Sequence, residues 1–244
     1  MKMPLNIIGI IPARGGSVRV PLKNIKLLAG KPLISYIISA ALQSKYLRRV
    51  IVSTDHPEIK KISLQYGAEV PYERPKRISG SNATSIVVIQ HVIRSIEKEE
   101  GKRVDIVVTL QPTSPFCRGA DIDACISLLM KGKALSSTFS AVEIRERPEW
   151  MFRLKKGNYA EPYLFGTIQG KRTVRKFYER LFIPNGGIYA TTRDTLFKEN
   201  AIITKQTALY VMPKERSIDI DEEIDFSFAE LLMGRAILRN EIKV

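Results

Sequence analysis

The stretch Ile7-Ile8-Gly9-Ile10-Ile11 contains only isoleucine and glycine. A strand of this composition has no polar face to offer to water, so it belongs inside a sheet covered on both sides, which is the parallel-sheet pattern. The segment that leaves it, Pro12 to Asn24, has the opposite character: Arg14, Arg19 and Lys23 bring cations together around Gly15-Gly16. Glycines let the backbone turn sharply and approach a ligand closely. Ligands of open α/β sheets bind just beyond the carboxyl ends of strands. The loop therefore reads as an anion site, against the alternative of a solvated basic turn.

The rest of the chain alternates. Leu33, Ile34, Ile37, Ile38 and Ala41 recur at helical spacing and predict a helix over 32–45, with Pro32 in its first turn. Val50 to Ser53 reads as a second buried strand. Asp55-His56-Pro57 starts a helix that Gly67 stops, with His56 as a turn residue instead of a catalytic base. A short strand is expected around Glu69-Val70, followed by an irregular stretch to Asn82. Ile86, Ile89, Ile93 and Ile96 then mark a long helix capped by Thr84 or Asn82. Val104 to Leu110 is the clearest strand, ending in the rigid loop Gln111-Pro112-Thr113-Ser114-Pro115. Asp121 is expected to open a helix, Leu135 to Val142 to form a strand, and Gly186 to Ala190 to resume the sheet. Thr207 to Met212 adds a strand before a terminal helix from Asp221 towards Arg239. Strand and helix in alternation imply an α/β fold with a mostly parallel sheet. Between Glu143 and Pro184 the pattern gives way to a basic, aromatic-containing insertion, read as a lid, a subunit contact or a solvent-covering β-arm.

A chain of 244 residues suits one large domain, and its net charge of +14 favours anionic partners. Charge alone admits nucleic acid, an acidic membrane surface or nucleotide phosphates. The cations are spread along the chain, which weighs against a dedicated nucleic-acid arm. Cys117 and Cys125 are the only cysteines and have no zinc-ligand spacing. The N-terminal apolar run breaks at Pro12, too short for a signal or a membrane span, so a soluble cytoplasmic protein is expected.

Acidic chemistry lies far along the chain, at Ser217-Ile218-Asp219-Ile220-Asp221. In an extended segment, Asp219 and Asp221 share one face. Two carboxylates suit Mg²⁺, which leaves its other positions to water and phosphate. The competing reading has Asp221 capping the last helix and Asp219 in a surface ion pair. Together with the cationic loop, the pair describes a site for metal-bound polyphosphate. No Walker lysine-serine/threonine follows Gly15-Gly16, the dinucleotide glycine spacing is missing, and no Ser/His/Asp or cysteine nucleophile is recognisable. Direct displacement at phosphorus fits better than covalent catalysis.

Several segments, in order, carry a resemblance: Ile11 to Ser17, Pro21 to Asn24, Val52 to Asp55, Leu110 to Pro115, Pro184 to Tyr189 and Ser217 to Asp221. This series is similar to that of the acylneuraminate cytidylyltransferases, the CMP-N-acetylneuraminate synthetases, from Ile7 to Leu232, with a poor match over Glu143 to Phe182. The resemblance implies a Rossmann-like three-layer nucleotide-diphospho-sugar transferase fold with an inserted dimerisation or substrate arm over 143–184. It implies transfer of CMP from CTP to a nonulosonic acid, with Mg²⁺, in a homodimer. By position, Arg14 and Lys23 would hold the triphosphate, with Gly15, Gly16, Ser17 and Arg19 alongside. Asn24 would take the nucleoside, and Arg74, Ala83 and Ser85 the cytidine end. Gln111, Arg175 and Tyr189 would lie near the acidic sugar, and Asp219 and Asp221 would hold the metal.

Val18, Ser81, Trp150 and Ile183 stand where members of that family often have lysine, aspartate, lysine and arginine. Arg19 is a replacement for the charge missing at Val18, and legionaminic, pseudaminic or other nine-carbon acids are as compatible as N-acetylneuraminate. A 3-deoxy-manno-octulosonate cytidylyltransferase is the alternative enzyme reading. A basic nucleic-acid-binding module that has lost catalysis is the alternative outside enzymology.

Overall fold

The computed structural model describes residues 5–17, 19–80, 82–164 and 179–238. Strand β1 (Ile7–Pro12) is the hub. It runs parallel to β4 (Arg49–Ser53) on one side and to β5 (Ile106–Leu110) on the other. Two minor strands, β2 (Leu27–Leu28) and β3 (Lys31–Pro32), form a small antiparallel ribbon between β1 and helix α1 (Leu33–Leu42) in the chain. Helix α2 (Pro57–Gln65) follows β4, and α3 (Ser85–Glu100) precedes β5. Beyond β5 come α4 (Gly119–Lys131) and β6 (Ser137–Glu143).

Two compact units emerge, Val142–Ile183 and the remainder of the chain. In the smaller, β7 (Phe152–Leu154) pairs antiparallel with β8 (Ala160–Pro162). Gly157 and Asn158 take positive φ in the connecting turn, and Lys155 and Glu161 form an ion pair at 3.0 Å. The chain then re-enters the sheet through β9 (Phe182–Thr192), continues to β10 (Thr207–Val211) and ends with α5 (Glu223–Leu238). The order of the six-stranded sheet is β10-β6-β9-β5-β1-β4. β10 is parallel to β6, whereas β9 runs antiparallel to β5.

The period-two alternation of strand side chains divides the isoleucines of β1 between two cores. Ile7 and Ile11 pack with Ile34, Ile37 and Ile38 of α1, Ile59 of α2 and Ile122 and Ile126 of α4. Ile8 and Ile10 pack with Ile89, Val92, Ile93 and Ile96 of α3. Each such side chain contributes about 1.5–3 kcal/mol when removed from water. A third cluster joins Val20, Leu28 and Leu33 to Phe116, Ile220, Phe226 and Met233. Val20 and Ile220 thus root the cationic loop and the acidic segment in the same apolar patch.

Some element boundaries depart from the sequence expectation. Glu69-Val70 is no strand: Glu69 makes one parallel bridge to Ile51, with its N–H donating to Val50 and its carbonyl accepting from Val52. Helix α1 stops at Leu42, and α4 begins at Gly119, so Asp121 is its third residue instead of its first. From there Asp121 accepts a bond from the Arg118 N–H at 3.0 Å, stopping the helix start from fraying. β5 begins at Ile106, and just before it the Asp105 carboxylate accepts from the N–H of Asn6 at 2.7 Å. Both cysteines are free and buried, and burial pushes their thiols well above the ordinary range, which makes them inert packing groups. No helix among the described residues is long and apolar enough to cross a membrane.

Asp121 is the most heavily committed buried carboxylate described. It is 1% exposed and receives Arg216 at 2.7 and 3.1 Å and the Tyr210 hydroxyl at 3.0 Å, which ties α4 to β10 and the segment after it. Asp121→Ala leaves the half-buried Arg216 guanidinium without its partner, and about 2–4 kcal/mol of stability should be lost. The measurement is urea unfolding, expected to show a lower midpoint at an unchanged slope. An unchanged midpoint would remove this pairing from the account of what holds the sheet edge.

Candidate active site

β1 delivers its loop to the carboxyl end of the parallel strands, where β5 delivers Gln111, Pro112 and Thr113. A cavity of about 420 Å³ opens there, bounded by Arg14, Ser17, Arg19, Lys23 and Asn24 from the first loop, Gln111 and Thr113 from the second, and Asp221. A neighbouring cavity of about 260 Å³ shares Pro12, Arg14 and Gln111 with it and adds Arg74, Ala83 and Ser85. Of the sequence-predicted residues, Arg14, Ser17, Arg19, Lys23 and Asn24 line the first cavity and Arg74, Ala83 and Ser85 the second, whereas Gly15 and Gly16 line neither.

Side-chain bonds hold the first loop in place. Asn24, 6% exposed, donates from Nδ2 to the Arg14 carbonyl at 3.0 Å. The Gly15 N–H donates to Asp55 at 2.9 Å, and the Ser17 N–H to the Gly15 carbonyl at 3.0 Å. These two N–H groups are engaged within the protein, so the cations carry more of the loop's attraction for an anion than the glycine backbone suggested. A Cβ on Gly15 would lie 2.7 Å from the His56 ring. His56 itself caps α2, accepting at Nδ1 from the Glu58 N–H at 3.3 Å, as expected of a turn residue.

Lys23 connects the ends of the chain. Its ammonium donates to the Ile220 carbonyl at 2.7 Å and to Asp221 Oδ1 at 2.9 Å, and Arg19 reaches Asp221 Oδ2 at 3.4 Å. The Ile220 side chain is fully buried between its two acidic neighbours, and its N–H donates to Thr113 at 2.9 Å. Asp221 does not cap α5: Asp225 does, accepting from the N–H groups of Asp221 and Glu222 at 2.8 Å each.

The two carboxylates have opposite electrostatics. The Lys23 hydrogen bond holds Asp221 below the ordinary carboxylate range, assisted by the charge of Arg19. Asp219 keeps open surface, yet the surrounding protein withdraws water from it. This desolvation raises its pKa, Asp221 raises it further, and a Thr113 hydrogen bond and Lys23 pull the other way. Among the described residues no ion pair engages Asp219. Two carboxylates, one of them lacking a cation, are a donor set that fits a hard, oxygen-seeking metal ion. No group of three or more His, Cys, Asp or Glu that could hold a metal occurs among the described residues.

Tyr189 pairs with Thr109 across β5 and β9 and stacks on Phe139 at 6.5 Å. Burial raises its hydroxyl pKa, and Asp219 contributes, so it lies within electrostatic reach of the acidic segment. Arg74 is 6% exposed and donates from Nε to the Ile78 carbonyl at 3.0 Å. Burial lowers its pKa, the nearby Arg14 adds to that, and Asp55 opposes it. Arg175, Val18 and Ser81 lie outside the described residues.

Asn185, Gly186 and Asp55 were not singled out as site residues from sequence. Buried Asn185 accepts from Ser140 Oγ at 2.6 Å and from the Gly187 N–H at 3.2 Å, and donates to Ser217 Oγ at 2.9 Å. It ties the start of β9 to the acidic segment. Gly186 has φ of +77°, and a Cβ there would lie 3.0 Å from Asp219 Oδ2. The Asn-Gly pair, with its tolerance of positive φ, was the available signal.

A cytidylyltransferase family model matches residues 8–241. The chain belongs to the cytidylyltransferase family. It is 36% identical over 234 residues to a CMP-N,N'-diacetyllegionaminic acid synthase of Legionella pneumophila, covering 94% of this chain and 97% of that protein. A pseudaminic acid cytidylyltransferase of Campylobacter jejuni is 31% identical, covering 91% of this chain and 94% of that protein. An N-acylneuraminate cytidylyltransferase of Oncorhynchus mykiss is 34% identical over 92% of this chain, which spans 50% of that longer protein. A solved CMP:2-keto-3-deoxy-manno-octonic acid synthetase complexed with CTP shares the fold, with a TM-score of 0.68 at 20% identity, covering 94% of this chain and 99% of that one. The α/β nucleotidyltransferase architecture expected from sequence is the one found.

The electrostatics of this cytidylyltransferase give a stability test. The folded protein holds the Asp219 proton more tightly than the unfolded chain does. Stability attributable to Asp219 therefore falls as pH rises from the ordinary value of 3.8 through the raised one, and the ionised carboxylate destabilises the metal-free protein at neutral pH. Asp219→Asn should raise the melting temperature at pH 7 in EDTA, with the gain vanishing below the ordinary carboxylate range. A lower melting temperature at pH 7 would contradict this electrostatic assignment. Gly186→Ala should keep the sheet intact by circular dichroism and reduce turnover at least about tenfold, since the methyl meets Asp219 where left-handed backbone already disfavours a side chain.

Proposed function

We propose that the protein is a CMP-nonulosonic acid synthase, joining CTP to a sialic-type nine-carbon acid with release of pyrophosphate. The observation that carries this is the meeting of Arg14, Arg19 and Lys23 with Asp221 around one cavity, on a chain whose relatives make CMP-legionaminate and activate pseudaminate. The anomeric hydroxyl attacks the α-phosphorus in line, and negative charge builds on the departing pyrophosphate.

Arg14, Arg19 and Lys23 bind and orient the triphosphate and stabilise that charge. Arg74, Ala83 and Ser85 receive the cytidine end, with Asn24 setting the loop beneath the nucleoside. Gln111, at the junction of the two cavities, and Tyr189 of β9 serve the sugar side. Asp219 and Asp221 are the ligands for Mg²⁺, which when bound neutralises phosphate charge and polarises the reacting oxygens. Lys23 keeps Asp221 ionised. The hairpin unit Val142–Ile183, with exposed Phe152, Leu154 and Tyr159, is the arm of a homodimer. The enzyme works in the cytoplasm, where its CTP is made.

The test is pyrophosphate release from each of the four NTPs with Mg²⁺, against a panel of nonulosonic acids and 3-deoxy-manno-octulosonate. CTP with a nine-carbon acid should lead the panel. Equal use of all four NTPs, or preference for the eight-carbon acid, would overturn the proposal. Asp221→Asn should lower kcat by about a hundredfold or more while leaving the fold intact, because it weakens both the metal ligand and the Lys23 pair.

A further inference from the structure

A second basic concavity lies along α3, outside the transfer cleft. Val87, His91, Arg94 and Lys98 follow one stripe at helical spacing and form one wall of a cavity of about 290 Å³. Arg77 and Ile78 form the other. A shallower concavity continues it past Arg77 and Val87 to Ala83, which also lines the nucleotide-end cavity.

No carboxylate lines this groove. The acids of α3 are all engaged elsewhere: Glu97 pairs with Arg193 at 2.6 Å, Glu99 accepts from the Tyr72 hydroxyl, and Glu100 pairs with Arg48 and Arg49 at 2.6 Å each. Among the described residues no ion pair engages Arg77, Arg94 or Lys98, and Arg94 lies over the Phe197 ring at 5.2 Å, which neutralises no charge. His91 Nδ1 is buried without a hydrogen-bond partner. Burial holds the imidazole below its ordinary pKa, and the charges of Arg77, Arg74 and Arg94 lower it further. Cations have thus been gathered on one side of a helix whose own acids face away. An unneutralised cluster of cations around a concavity is stabilised by an anion.

We infer that this groove is a second anion site, distinct from the transfer cleft, for a small polyphosphate of the pyrophosphate class. The volume sits at the lower end of ligand pockets, roughly 300 Å³, and several cations around so small a space call for more than one negative charge. Occupancy bears on the cleft through a short path. Arg77 and Ile78 adjoin in the chain, and Ile78 offers the carbonyl that holds Arg74 at 3.0 Å. Filling the groove therefore stiffens the turn that positions Arg74 at the nucleotide end. The inference stands on the groove alone and does not depend on the metal assignment at Asp219 and Asp221.

The chain's two histidines provide independent reporters, His56 against Gly15 in the cationic loop and His91 in the groove. In metal-free buffer, pyrophosphate, orthophosphate and a short oligonucleotide are each titrated while the imidazole proton resonances are followed by NMR. Pyrophosphate should move the His91 signal saturably, with a midpoint different from that of any His56 shift. In R94Q/K98Q the His91 midpoint should weaken on the order of tenfold, with the His56 response and kcat at zero pyrophosphate unchanged. The single K98Q should weaken it by less. A His91 signal that does not move, or one whose midpoint is the same in R94Q/K98Q, overturns the site. An oligonucleotide that saturates His91 at lower concentration than pyrophosphate overturns the ligand class.

Discussion

Burial of β1 on both faces is the constraint from which the architecture follows. A strand without a polar side has to be sheathed by helices above and below, and α1, α2 and α4 on one side and α3 on the other meet that demand. Once both faces are closed, the only place where β1 can give rise to chemistry is its end. Its neighbours β4 and β5 run parallel to it, so their exits converge on the same edge. Asp55 after β4 and Gln111 and Thr113 after β5 are therefore brought to the loop of Arg14 and Lys23 by topology alone.

Much of this could be read from the chain. Isoleucine runs marked the buried strands, and helical spacing marked α1 and α3, because both signals are local. What was not legible depended on distant partners. Glu69 was expected in a strand, yet its neighbours offered one bridge and no ladder. Asp121 looked like a helix opener from its chemistry, but its main occupation is Arg216, far along the chain. In the site, the cations and the acidic pair were visible as residue types in suggestive places. Their joining through Lys23 required the fold, and so did the diversion of the Gly15 N–H to Asp55. Asn185 was invisible as a site residue because a buried amide has no sequence signature beyond the turn it sits in.

The acidic segment shows how one short stretch can serve packing and chemistry together. Ile220 is fully buried and anchored through its N–H to Thr113, while Asp221 beside it lines the cleft. The same anchoring that makes their position rigid also surrounds Asp219 with protein and raises its pKa. A carboxylate desolvated in this way costs the folded state stability at neutral pH.

Asp225, not Asp221, closes the first turn of α5, taking two N–H groups that the helix cannot satisfy itself. Secondary structure and the charge of the cleft are thereby uncoupled: the start of the terminal helix does not depend on which cation Asp221 pairs with. The same separation gives evolution room to retune the charge of the cleft for a different sugar acid while the scaffold behind it stays as it is.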